Sequence, residues 1–492
     1  MSDNNSLLIG GNGNKTVFMD ASMANRHGMV AGATGTGKTV TLQILAENFS
    51  KIGVPVFLAD VKGDVSGIGK PAAPHPKIDE RISTIGIDNY EMQANPVVFW
   101  DLFAKNGHPI RTTVSEIGPL LLSNLLELND TQTGILYSCF KIADDEGMLI
   151  LDMKDLRSML TWMGEHRSEL SSEYGNISTA SIGAIQRGLL VLEEQGAEFL
   201  LGEPAIALSD LMNFDFSGRG VINILDASKL IQTSPKLYST FLLWLLSELF
   251  ETLPEVGDAD KPKFVMFFDE AHLLFNDAPK VLINKIEQVV RLIRSKGVGV
   301  YFISQSPLDI PEEILGQLGL KIQHALRAFT PKDQKAVRIV AETFRANPEI
   351  DTSSVITELG VGEALVSTLD DEGIPTQVEK ILIRPPQSRI GPMNNEERQE
   401  QISRSPLKGR YDTALDRESA YEMLIERNKN EAAKQEEIEQ QQAQLKETKK
   451  TSSRKSTRQS PTEAFIKSAA RSIGSSLGRR LIRGVLGSIL KG

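Results

Sequence analysis

An eight-residue run near the start of the chain leaves the surrounding residues little freedom in what they build. Gly32-Ala33-Thr34-Gly35-Thr36-Gly37-Lys38-Thr39 fits the pattern G-x-x-x-x-G-K-[ST]. An apolar stretch, Gly28–Ala31, precedes it, and Val40-Thr41-Leu42-Gln43-Ile44-Leu45 follows with helix-like spacing. A strand that turns through glycines into a helix brings backbone N–H groups and the positive end of the helix dipole to one place, which suits a polyphosphate. In that reading Gly32, Ala33, Thr34, Gly35, Thr36, Gly37, Lys38, Thr39 and Val40 hold a nucleotide. Lys38 reaches its β- and γ-phosphates, and the Thr39 hydroxyl ligates Mg²⁺. The competing reading, a Gly-rich turn without function, leaves the strand and helix on either side unexplained.

A second run supplies what the loop lacks. Phe264-Val265-Met266-Phe267-Phe268-Asp269-Glu270 is five apolar residues followed by two acids. A strand buried on both faces delivers Asp269 to its carboxyl end, where ligands bind in open α/β sheets. Asp269 is the expected second metal-side residue. Glu270, one position on, is placed to orient or deprotonate an attacking water. A strand ending in a solvated acidic turn is the plain alternative for this run taken alone. A third apolar stretch, Val298–Ser304, ends at Gln305, an uncharged amide suited to the γ-phosphate or the attacking water, or else a loop residue without a role.

Around these runs, short apolar stretches alternate with helical ones, which predicts strands joined by crossovers and therefore a mostly parallel sheet. Strands are expected at Gly28–Ala31, Val54–Ala59, Val221–Leu225, Phe264–Phe268, Val298–Ser304, Ile322–Ala328, Ala364–Thr368 and Gln377–Ile383, the last two antiparallel. The stretch 65–220 breaks the rhythm and reads as a largely helical insertion. One cysteine, Cys139, excludes a disulfide framework, and the six histidines show no metal-ligand spacing. Tyr238–Phe250 is too short an apolar run to span a bilayer, and the N-terminus lacks the features of a signal peptide, so a cytoplasmic location is expected.

The three runs in this order resemble the HerA/FtsK superfamily of P-loop ATPases. His27 ahead of the loop, Asp60-Val61-Lys62-Gly63-Asp64 and Leu359-Gly360-Val361-Gly362-Glu363-Ala364 are similar to its HerA-like branch. Nearer still is a bacterial HerA-like subgroup, long a domain of unknown function, which the segment from Ser405 to Glu422 and the Gly/Arg-rich C-terminus also resemble. The resemblance implies an α/β, RecA-like P-loop core over residues 1–390, with the 65–220 insertion inside it. It further implies a homo-oligomer, in relatives a hexamer, and Mg²⁺-dependent ATP hydrolysis coupled to movement on double-stranded DNA. In such rings a neighbouring subunit supplies an arginine finger, and Arg294 stands where the family places one, with Arg291 and Arg327 as alternatives. HerA proteins carry a β-barrel ahead of the core, and the roughly 26 residues before the first expected strand are too few for one. A GTPase reading of Asp60-x-x-Gly63 with Asn284-Lys285-Ile286-Glu287 has Glu where guanine recognition needs Asp, and leaves Asp269-Glu270 without a task.

Beyond 390 the composition changes. An extension, 391–427, is expected to pack on the core. A charged helix and linker, 428–460, is partly disordered in this reading. Then a basic amphipathic helix, 461–492, repeats apolar residues every four positions from Phe465 to Ile489. From Thr448 onward eleven Lys and Arg face one acid, Glu463, so this tail carries +10 and the rest −20 of a net −10. Such a tail suits subunit packing, an anionic membrane surface or DNA phosphates. Three activities follow: a nucleic-acid motor; an ATPase acting on a protein partner or at the membrane surface through the tail; and a P-loop kinase, which would have no use for a water-activating Glu270.

Overall fold

The computed structural model describes residues 5–452 except 258, 277, 279 and 329. Its contacts divide the chain into one unit to Leu424 and another from Ile425. Twelve strands of the first unit form one sheet. In chain order they are β1 Ser6–Gly11, β2 Thr16–Asp20, β3 Gly28–Ala31, β4 Val56–Asp60, β5 Val97–Asp101, β6 His108–Pro109, β7 Ile222–Asp226, β8 Phe264–Phe268, β9 Val298–Ser304, β10 Leu320–Gln323, β11 Glu363–Ser367 and β12 Glu379–Ile383. Their spatial order is β2-β1-β12-β11-β10-β3-β9-β8-β4-β7-β5-β6. The eight from β10 to β6 are parallel. The four beyond β10 are antiparallel.

Alternation along the central strands explains why the sheet is covered on both faces. Phe264, Met266 and Phe268 of β8, with Val298, Val300 and Phe302 of β9, enter the larger core, which continues into the helices 114–125, 235–252 and 280–293. Val265, Phe267, Tyr301 and Ile303 face the other way, onto helix α1, Lys38–Lys51. Every second residue serves one core and its neighbours the other, so the strands read as unbroken apolar runs.

Helix α1 is buried along most of its length, polar residues included, and each of those has a partner. Gln43 donates to Ser388 Oγ at 2.6 Å, Asn48 to the Leu8 carbonyl at 2.9 Å and Ser50 to the Gly220 carbonyl at 2.7 Å. Glu47 pairs with Arg384 at 3.0 Å and accepts from the Gln387 and Ser388 N–H groups. The helix that carries Lys38 and Thr39 is thus anchored to strands on both sides.

Several elements differ from the sequence reading. The first 26 residues hold two strands, β1 and β2, which pair as a hairpin and dock on β12. Inside 65–220, β5 and β6 belong to the main sheet. The strand expected at Ile322–Ala328 is Leu320–Gln323, because Ala325 and Leu326 turn away into a small separate core with Val337, Ile356 and Leu365. Tyr238–Phe250 lies within the buried helix Pro235–Thr252, and no described helix is long and apolar enough to cross a membrane. The extension after 390 holds the helix Asn395–Ser403, whose Arg398 makes a buried ion pair with Asp226 at 2.5 Å. The helix Ala420–Ser452 continues into the second unit, exposed wherever its side chains are described beyond Lys429. The expected basic helix, 461–492, lies outside the described residues.

Candidate functional site

The parallel strands all end on one edge, and the loop 32–37 leaves β3 there. Its shape is set by its neighbours: Gly32 N–H donates to the Ser304 carbonyl, Ala33 N–H to Ala325 at 2.8 Å, and Gly362 N–H to the Thr36 carbonyl at 2.9 Å. Two positions demand glycine. Gly32 has φ +154° and a Cβ there would come within 2.5 Å of His324 Cβ; Gly37, at φ +121°, is packed against Gly362. As the residue capping α1, Gly37 has no side chain to satisfy the helix's first N–H groups, which stay available to an anion.

Lys38 is 5% exposed and folds back over the loop. Its ammonium donates to the Gly32 carbonyl at 2.5 Å and the Ala33 carbonyl at 3.1 Å. Burial and the Lys62 charge pull its pKa down, while Glu270, Asp269 and Asp309 oppose that pull. Lys38 therefore shares a field with the two acids that follow β8. Thr39 Oγ lies 3.5 Å from Asp64 Oδ2, at the end of the turn after β4.

Asp269 and Glu270 leave β8 beside the loop. Burial first, and then the adjacent Glu270, push the Asp269 carboxyl up to about 7. Tyr238 donates its hydroxyl to the Asp269 carbonyl at 2.9 Å, and Asp269 Oδ1 accepts from the Glu270 N–H, so the turn is gripped on both sides. Glu270 itself sits at φ 48°, ψ 49°, a conformation that costs a non-glycine residue about 1 kcal/mol or more and clusters at functional sites. It is 9% exposed. Its Oε1 lies 3.3 Å from Lys62 Nζ and its Oε2 3.4 Å from His272 Nδ1, yet Oε2 makes no hydrogen bond.

Gln305 is exposed at the carboxyl end of β9, on this same edge. Arg294 is not: it lies in the short turn Arg294–Lys296 that leads into the opposite end of β9. Seven strand residues, about 23 Å at 3.3 Å each, separate the two ends, so Arg294 serves a site of this kind only from another copy of the chain.

Sequence reasoning quoted the turn Asp60–Asp64 through the family resemblance but gave Lys62 and His324 no role of their own. Lys62 carries the ion pair to Glu270, and burial, which lowers its pKa, is outweighed by Asp269 and Glu270, which hold it above its usual value. Asp60 accepts N–H bonds from Gly63, Asp64 and Val65 and is pushed up to about 6, chiefly by burial. It is a cap for the turn that presents Lys62 and Asp64. His324 bridges the loop's helix to β11, with Nε2 2.8 Å from Thr41 Oγ and Nδ1 2.9 Å from the Glu363 carbonyl. Burial draws it down to about 4, leaving it neutral beside Lys38. His324 belongs to no motif that spacing alone would reveal, whereas Asp60, Lys62 and Asp64 share the five-residue turn quoted for the resemblance.

Beside the loop a cavity of about 410 Å³ is lined by Gly37, Val40, Ile78, Arg81, Ile383 and Ile390, among others. Arg81 comes from helix α2, Pro76–Ile85, and its guanidinium donates to the Gly362 and Ile383 carbonyls at 3.3 Å each. A larger cavity, about 510 Å³, lies at the far end of α1 against Lys51, Tyr90 and Arg384, away from the acids.

The residues fit a metal–nucleotide pair. Glu270 Oε2 is buried without a donor, the glycines keep the cradle clear, and Lys38 Nζ stands on the loop's own carbonyls. Thr39, Asp64 and Asp269 offer hard oxygen ligands. Among the described residues no group of three acids, histidines or cysteines closes around a metal.

The DNA double-strand break repair helicase HerA of Sulfolobus acidocaldarius is 23% identical over 370 residues, 73% of this chain and 65% of that protein. Its namesake from Sulfurisphaera tokodaii is 21% identical over 353 residues, 69% of this chain and 62% of that one. The chain thus spans less than two thirds of these relatives' length. The plasmid coupling protein TrwB shares the fold at TM-score 0.52 and 15% identity, over 78% of this chain and 91% of its own. VirB4 of Thermoanaerobacter pseudethanolicus does so at TM-score 0.51 and 16% identity, over 78% and 97%. The model of the helicase HerA-like C-terminal family matches residues 5–492, and the chain belongs to that family.

Proposed function

We propose that this chain is an Mg²⁺-dependent ATPase that works as a homo-oligomeric, HerA-like motor on double-stranded DNA. The observation that carries the reading is the convergence of the glycine loop, Lys38 and the Asp269–Glu270 turn on one sheet edge, where Lys38 feels both acids. The backbone N–H groups of residues 33–39 bind the phosphates, and the cavity beside Arg81 takes the base. Lys38 turns from the Gly32 and Ala33 carbonyls to the β- and γ-phosphates. Glu270 orients the attacking water and accepts its proton at Oε2, the oxygen that has no donor of its own. Gln305, at the end of β9, hydrogen-bonds the γ-phosphate or that water. Thr39 and Asp269 would hold Mg²⁺, which when bound neutralises phosphate charge. Arg294 of an adjacent copy completes the site, and a ring, hexameric in relatives of this kind, is the assembly that brings it there. Adjacent-subunit arginines of this type raise turnover by roughly 10³ or more.

Names of the two HerA relatives support DNA as the substrate. The test is ATP turnover with and without duplex DNA, alongside the native mass with and without ATP. An oligomer whose turnover rises with duplex supports the motor. A monomer whose phosphate release ignores every nucleic acid overturns it.

A further inference from the structure

One charged contact in the site has no part in the scheme above. Lys62 Nζ stands 3.3 Å from Glu270 Oε1, and its side chain is 39% exposed, so it enters from the solvent side and can withdraw. The Asp269, Glu270 and Asp64 charges all act on its ammonium. The loop that carries it is stiff, since the buried Asp60 carboxylate accepts three consecutive N–H groups, those of Gly63, Asp64 and Val65. Glu270 is held in a left-handed conformation opposite it. A divalent metal placed among the same acids would compete with this ammonium, because both ions would claim the same field.

We propose that Lys62 is a built-in counter-ion of this edge: in the nucleotide-free chain it holds Glu270 and fills the charge position that a nucleotide-bound divalent cation takes over. Lys62 is thus a positioning residue acting through Glu270. It keeps the acids compensated while the site is empty and releases Glu270 toward water when a second cation arrives. This rests on the nucleotide reading given above and adds to it an order of events.

The experiment is the affinity of the full chain for a fluorescent ATP analogue, measured in excess EDTA and in Mg²⁺, for native protein, Lys62→Met, Lys62→Gln and Lys62→Arg. Without metal, Lys62 is the cation that compensates the acids, so Lys62→Met and Lys62→Gln should weaken binding in EDTA about tenfold or more, as loss of a unit charge within a few Å warrants. In Mg²⁺ the same variants should move less than threefold, and Lys62→Arg should stay near native in both conditions. Equal losses in EDTA and Mg²⁺, or no loss in EDTA, would overturn the proposal.

A second measurement needs no nucleotide. Electron paramagnetic resonance titration with Mn²⁺ alone should show the chain carrying Lys62→Met binding about tenfold more tightly than native, a gain that misfolding does not produce. Absence of that gain also overturns the assignment. If the native chain binds the analogue in neither condition, the ATPase reading fails instead, and the Mn²⁺ titration decides the role of Lys62 by itself.

Discussion

Asp60 and Glu270 show how single residues carry strain for the site. Asp60 is 1% exposed, and its carboxyl titrates near 6 in the folded chain against about 3.9 unfolded. Between pH 4 and 6 the native state therefore keeps a proton that the unfolded state has released. By linkage, stability falls as pH rises through that window. A shift of about two units corresponds to at most about 3 kcal/mol. Denaturant unfolding of the metal-free chain at pH 4, 5 and 6 should show this decline, and Asp60→Asn should flatten it. The same variant keeps one oxygen to accept the Gly63 and Asp64 N–H groups, so its turn survives. An unchanged slope would mean that Asp60 is solvated. Neither its burial nor the left-handed Glu270 was legible beforehand, because both depend on strands brought together from 200 residues apart. Lys38, Thr39 and Asp269 were legible because the chemistry needs those residue types at those points in a strand–loop–helix or strand–turn pattern.

The elements around α1 show what pattern reading reaches and what it misses. Strands β8 and β9 were readable to the residue, since a run buried on both faces has no alternation to confuse it. Strand β5 was missed because Val97–Asp101 follows a long polar stretch and precedes helices, and only its pairing with β7 makes it part of the sheet. The hairpin β1–β2 is short and interrupted by Gly10-Gly11 and a register shift, which hides its periodicity. The polar anchors of α1 look like a solvent-exposed face in sequence, and prove to be partners for groups far along the chain. Arg384 is the clearest: it bonds the Leu8, Ile44 and Pro385 carbonyls, Asn48 and Glu47 while only 6% exposed. Arg384→Met would leave Glu47 buried with its charge uncompensated, so a loss of about 3–5 kcal/mol is expected in chemical denaturation. A loss under 1 kcal/mol would show that water enters at this contact. Because Arg384 also borders the cavity beside the loop, nucleotide affinity should weaken with it.

At the scale of the whole molecule, the two ends of β9 define opposite faces of one working unit. Gln305 lies on the face with the acids and Arg294 on the other, so the Arg294 of one copy is directed away from that copy's own loop. Arg294→Ala and Lys38→Ala should each abolish turnover, the first while retaining nucleotide affinity within about threefold. Mixed in equal amounts, the two should regain activity, because some interfaces then join an intact loop to an intact arginine. Mixtures as inactive as the single variants would place Arg294 outside the site. The resemblance carried by three short motifs extends, through the family match, over residues 5–492. What those motifs could not convey is the closure between them, such as Lys62 on Glu270 and His324 beneath the loop, since side chains meeting across a sheet edge leave no spacing to read.

The most direct test is ATP turnover and nucleotide affinity of Glu270→Gln beside the native chain. Hydrolysis reduced a hundredfold or more, with Mg²⁺–ATP still bound as tightly as before, is the result required if this carboxylate activates the water. Turnover that survives the substitution would contradict the account at its centre.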